Sequence, residues 1–177
     1  MRIISGELKG RRVLGGKLYN ARPTTDFARE SLFNILNNYY FFEKVRVLDL
    51  FSGTGSISFE FASRGCPNIE LVENDKKNYG MIINTVKNLN FNHIRTIKGD
   101  AFKYIETCIP GYDIIFADPP YDLKGIEVLP DKVFERNLLA EDGVFILEHS
   151  KAYHFQAHPK FSEERKYGAV HFSLFRN

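Results

Sequence analysis

With 177 residues, 44% of them hydrophobic and 14% aromatic, the chain can bury one core that takes about 70% of its unfolded surface out of water. No apolar run reaches the roughly 18 residues of a membrane span, and the start, "MRIISGELKGRR", lacks the apolar centre of a signal peptide. Cys66 and Cys108 give neither a disulfide framework nor metal-ligand spacing, so the reading is a cytoplasmic protein with no membrane partner and no metal.

The net charge of +2 hides an asymmetry. Residues 1–22 carry Arg2, Lys9, Arg11, Arg12, Lys17 and Arg22 against Glu7 alone. A basic arm on a mildly acidic body points to a polyanionic partner. The arm's "RIISG" and "KGRRVLGG" predict a small hairpin of two short strands, which Pro23 ends. "TTDFARESLFNILNNYY" follows as a helix, with Thr25 or Asp26 as N-cap and Ala28, Leu32, Ile35, Leu36 and Tyr39 at helical spacing. From residue 45 strands and helices alternate. "VRVLDLF" is a strand and "SISFEFASRG" a helix stopped by Gly65; "NIELVE" is a strand, with a helix over "DKKNYGMIINTVKNLN". "IRTIK" is a strand before a short helix near "AFKYIETC". "YDIIFA" is a strand, "KGIEVLPDKVFERNLLA" mostly helix, and "GVFILEHS" a fifth strand. The tail "FSEERKYGAVHFSLFRN" predicts an antiparallel hairpin around "KYG". Apolar strands alternating with helices imply an α/β fold, a parallel sheet covered on both faces with antiparallel pairing at one edge.

In such sheets ligands bind beyond the carboxyl ends of the strands, near the switch point. Four sequence features fall there. "DLFSGTGSIS" follows the first strand, with Gly53 and Gly55 opening a helix; Ser58 stands where the dinucleotide fingerprint needs its third glycine, which disfavours a nicotinamide cofactor. Glu73, 24 residues after Asp49, can accept hydrogen bonds from a ribose diol. Asp100 of "GDAF" can hold an adenine amino group. "DPPY" at 118–121 follows the fourth strand: two prolines without N–H donors fix a corner. There the Asp118 carboxylate and the Pro119 carbonyl can grip the two hydrogens of an exocyclic NH₂, while Tyr121 offers a stacking face. Glu148 and His149 read as a plain strand end. Of the histidines only His154 and His158 have helical ligand spacing, and Pro159 argues against a helix there.

The order D-x-F-x-G-x-G, acid, G-D-A-F, D-P-P-Y resembles class I S-adenosylmethionine-dependent N-methyltransferases. "MRIISGELKGRRV", "RPTTDFARESLFNIL", "VLDLFSGTGSISFEFASRG" and "DIIFADPPYDLKG" resemble the RsmD-type enzymes that methylate guanine N2 in small-subunit ribosomal RNA. The resemblance spans essentially the whole chain. It implies a Rossmann-like, seven-stranded, mostly parallel sheet with a reversed C-terminal hairpin. It also implies S-adenosylmethionine as cofactor, held by Asp49, Phe51, Ser52, Gly53, Gly55, Glu73, Asp100 and Ala101, with Asp118 beside it. Asp118, Pro119 and Tyr121 would hold the target guanine. The division is a basic arm at 1–22, with Lys9, Arg11, Arg12, Lys17 and Arg22 as RNA contacts, and a methyltransferase domain at 23–177. The partner is ribosomal RNA or a small-subunit assembly particle, met by a monomer. Two rival readings stand beside this: another DPPY-type amino-methyltransferase acting on DNA or RNA, and a non-catalytic RNA-binding scaffold of the same fold.

Overall fold

The structure is a computed structural model that describes residues 2–13 and 25–177. Its centre is a seven-stranded sheet in the order β3-β2-β1-β4-β5-β7-β6. The strands are β1 (Arg46–Leu50), β2 (Asn68–Glu73), β3 (Ile94–Lys98), β4 (Tyr112–Ala117), β5 (Leu139–His149), β6 (Phe161–Tyr167) and β7 (Val170–Arg176). The first five run parallel. β7 lies antiparallel between β5 and β6. The helices are α1 (Asp26–Leu36), α2 (Ser56–Ser63), α3 (Lys76–Asn88), α4 (Ala101–Thr107) and α5 (Leu129–Glu135).

Alternate residues of each strand serve opposite faces. Val47, Leu71, Phe116 and Ile146 share a core with Phe33 of α1, Phe59 and Phe61 of α2 and Ile82 of α3. Leu48, Leu50, Ala117 and Leu147 share the other with Ile105 of α4 and Leu129 and Val133 of α5. Both faces are thus covered, which is why the central strands are apolar without interruption.

Two predicted helices are shorter in the structure. α1 starts from the Thr25 cap, whose hydroxyl accepts from the Ala28 N–H at 3.1 Å. It ends at Leu36, and the chain turns through Asn38 and Tyr39. The helix expected over 124–140 is a 3₁₀ turn at Ile126–Val128 followed by α5 alone. Asn137 adopts the left-handed conformation at φ 49, which stops the helix. Leu139 then pairs with Tyr112, so β5 begins four residues before the expected Gly143.

The predicted N-terminal hairpin is reduced to one antiparallel bridge, Arg2 to Arg12, within the described residues. Its loop is fastened to α2 instead. Both Glu60 oxygens accept backbone N–H groups, from Ile4 at 2.8 Å and Ser5 at 3.0 Å. Ser63, at the helix end, bonds Leu8 and Ser5 through its hydroxyl and Glu7 through its carbonyl. Gly6 packs so closely there that a Cβ would sit 1.8 Å from the Ser63 carbonyl oxygen. Ile3 and Val13 enter the core shared by α1 and α2.

Candidate active site

The strand order reverses beside β1, and beyond that point lies a cavity of about 1130 Å³. Its wall is built from residues 51–54, 73–75, 99–102 and 118–123, with Thr25, Asp26 and Arg29 closing one side. The first four segments follow β1, β2, β3 and β4 in turn, so the sheet itself aligns them.

Strand periodicity explains the acids. Val47, Leu71, Phe116 and Ile146 face α1 to α3; two residues on from each stand Asp49, Glu73, Asp118 and Glu148. Four carboxyl groups therefore occupy one face of the sheet at the carboxyl ends of β2, β1, β4 and β5. Asp118 is half-buried at the cavity wall, and its N–H still donates to the Leu50 carbonyl at 3.4 Å. Burial, then the neighbouring Glu148 and Asp49 charges, hold its carboxyl well above the usual range.

Asp49 sits one layer behind the wall and does not line the cavity. One of its oxygens accepts both the Ser58 hydroxyl (2.6 Å) and the Ser58 N–H (3.3 Å). Burial nonetheless pushes its carboxyl up to about 7. Gly55 is likewise behind the wall, as the N-cap of α2. Phe51, Ser52 and Gly53 do line it. The loop is tightly wound: Phe51 and Gly53 both have positive φ, 58° and 56°, and the Ser52 hydroxyl donates to the Asp49 carbonyl. A Cβ at Gly53 would meet nothing within 4 Å, so the bare backbone there faces open space.

Glu73 accepts the Gly53 N–H and the Asp75 N–H, each at 2.6 Å, through different oxygens. Burial raises its carboxyl despite those bonds. Asp100 caps α4 by accepting from the Lys103 N–H at 3.0 Å, with Ala101 beside it in the wall. Pro119 and Tyr121 complete the corner after β4, Tyr121 being 46% exposed. In the arm, Lys9, Arg11 and Arg12 are exposed. Lys17 and Arg22 lie outside the described residues.

Two side chains that sequence reasoning passed over belong to this architecture. Ser58, read only as a missing glycine, is the partner of Asp49. Arg29, on α1, lines the cavity while only 2% exposed. Its Nη2 donates to Asp26 at 2.8 Å and to the Arg2 carbonyl at 2.6 Å, but its buried Nε has no partner among the described residues. Burial lowers its pKa below the ordinary arginine value. Helical spacing from Ala28, Leu32 and Leu36 could have flagged Arg29 as inward-facing; its link to the cavity could not be read from spacing.

A parallel sheet with a reversed final strand and a ligand cavity across the switch point defines the Rossmann-like class I methyltransferase fold. The chain belongs more narrowly to the family described as "Conserved hypothetical protein 95", the RsmD-type methyltransferases, which it matches over residues 1–176. It is 34% identical to the Bacillus subtilis protein YlbH over 155 residues, 85% of this chain and 83% of that one. It is 28% identical to ribosomal RNA small subunit methyltransferase D of Escherichia coli (strain K12) over 148 residues, 84% of this chain and 74% of that one. The solved structure of the Escherichia coli protein yhhF superposes with a TM-score of 0.88 at 26% identity, covering 100% of this chain and 97% of that one.

Proposed function

We propose that the protein transfers a methyl group from S-adenosylmethionine to the exocyclic N2 of a guanine in small-subunit ribosomal RNA. It would act in the cytoplasm, as a monomer, on the rRNA or on an assembling particle. The observation that carries this reading is the convergence of four successive strand ends, including the Asp118–Tyr121 corner, on one cavity. The name of the Escherichia coli relative supports the substrate class.

The cavity residues suit the cofactor, whose sulfonium supplies the methyl group. The unpartnered Arg29 Nε matches an anionic carboxylate such as that of the methionine part. The open backbone at Gly53 leaves room for close approach. Glu73 already holds two N–H groups, yet a carboxylate has about four acceptor positions, so it keeps capacity for the ribose hydroxyls. Asp100 and Ala101 would take the adenine, as Asp100 spends one oxygen on its cap.

At the target, the Asp118 carboxylate and the Pro119 carbonyl accept from the guanine NH₂ and aim its nitrogen, and Tyr121 stacks on the ring. Orientation and stabilisation of charge developing on nitrogen provide the rate gain. Lys9, Arg11, Arg12, Lys17 and Arg22, within an arm at residues 1–22, would contact RNA phosphates beside a methyltransferase domain at 23–177.

The test is methylation of small-subunit rRNA and of the assembled particle with labelled S-adenosylmethionine, the modified atom being mapped. Tyr121→Ala should slow transfer roughly a hundredfold through misplacement of the base without changing cofactor affinity. Label on an adenine amino group, or near-normal turnover in Tyr121→Ala, would reject the reading.

A further inference from the structure

Helix α1 lends the cavity Thr25, Asp26 and Arg29. The next residue after Asp26, Phe27, lies about 100° further round the helix and does not line the wall. It is 68% exposed, more than Tyr121 of the cavity wall at 46%. Yet its ring is not loose. It meets Tyr167, at the end of β6, edge to face at 5.9 Å and 79°. Tyr167 packs in turn against Phe172 at 6.0 Å and against the core shared by α1 and α2. Because β7 runs antiparallel to β5, the turn after Tyr167 rises at the carboxyl edge of the sheet, the edge that bears the cavity.

The surroundings are basic. Arg2 reaches Asp26 at 3.6 Å and is bridged to Arg12, and both arginines are exposed. The site thus has a corner aromatic, Tyr121, in its wall and a braced aromatic on α1 directly after the wall residue Asp26, which the basic arm reaches through Arg2. A preorganised ring next to phosphate-binding charge is the arrangement by which single-stranded nucleic acid is held without regard to sequence. Extruding one base also leaves its neighbours without a stacking partner.

We propose that Phe27 is an RNA-stacking residue: it takes the face of an unpaired base adjacent to the target guanine and holds the strand open at the cavity mouth. This rests on the RNA-methyltransferase reading above. It adds a second contact to that site, on a different element from Tyr121. The role requires an aromatic face, so Phe27→Trp should preserve it while Phe27→Leu, apolar but without a ring, should not.

The experiment measures affinity for a labelled single-stranded RNA of mixed sequence, and KM and kcat on protein-free small-subunit rRNA and on the protein-containing particle, for wild type and for Phe27→Ala, Phe27→Leu and Phe27→Trp. Thermal melting and S-adenosylmethionine affinity serve as controls: cofactor affinity should stay at the wild-type value because Phe27 does not line the cavity wall, and loss of the Tyr167 contact should lower the melting temperature by only about 2–4 °C. The expected result is a loss of about tenfold in RNA affinity for Phe27→Ala and Phe27→Leu, seen as raised KM with kcat less affected, and near wild-type behaviour for Phe27→Trp. Equal RNA affinity in Phe27→Ala and wild type overturns the inference. So does full rescue by Phe27→Leu, or a defect seen only on the protein-containing particle, which would make Phe27 a protein contact. Failure of wild type to methylate any RNA is a different outcome and defeats the functional reading instead.

Discussion

Asp49 and Asp118 are raised by the same burial but keep different company. Asp118 faces the cavity among like charges, whereas Asp49 is a closed structural pair with Ser58. For Asp49 the consequence is a pH-dependent stability. Its carboxyl titrates at about 7 when folded and near 3.9 when unfolded, so between those values the folded state holds the extra proton. The contribution is fully present below about pH 4 and is lost as pH rises through about 7. Asp49→Asn keeps an oxygen acceptor for Ser58 but cannot ionise. Urea unfolding of wild type and Asp49→Asn at pH 5 and pH 8 should show the wild type losing on the order of 1–3 kcal/mol more than the variant over that interval. Parallel losses would mean that Asp49 is ionised in the folded protein throughout.

At the scale of elements, the N-terminal arm is held to α2 by a buried carboxylate and a helix-end carbonyl, without sheet pairing. Gly6 is the tightest point: it has φ +81 and its missing Cβ would overlap the Ser63 carbonyl oxygen. Gly6→Ala should therefore destabilise the protein by more than the roughly 0.4–1 kcal/mol that the same substitution gains at an unstrained position. It should also release the arm, making residues 2–13 the first site of limited proteolysis. Cleavage at wild-type rates would show that the loop relaxes around the methyl group. None of this fastening was legible beforehand, since Glu60 reads as one polar residue on a short helix and its partners lie 55 and 56 positions away. The central strands were legible because an unbroken apolar run bounded by glycine and acidic residues has few other readings. The start of β5 was not: Leu139 and Ala140 continue the helical spacing of α5, and only the left-handed turn at Asn137 and the pairing with Tyr112 separate them. The acids at the strand ends were legible individually. Their sharing of one face follows from strand periodicity only once the register is fixed.

Across the whole molecule, charge of opposite sign gathers at one end of the sheet, with acids at the strand ends in and behind the cavity wall and the exposed Arg2 beside Asp26. The edge strand β6 differs from the centre in carrying paired charges, Glu163–Arg165 and Glu164–Lys166, along an edge that would otherwise invite another strand. The strand-end acids have a consequence for turnover. Burial and the neighbouring Glu148 and Asp49 favour the protonated form of the Asp118 carboxyl in the cavity wall, and a cation arriving beside it favours the ionised form instead. Binding of positively charged S-adenosylmethionine should thus release protons and tighten as pH rises from 6 to 8. Its neutral demethylated product should do so much less. Titration calorimetry in buffers of unlike ionisation enthalpy measures this directly, and equal proton release by the two ligands would refute it. The sulfonium would then favour ionised Asp118, the group proposed above to accept from the guanine NH₂. On the proposed function, loss of the methyl would remove that charge, let the proton return, and lower the site's affinity for the demethylated product.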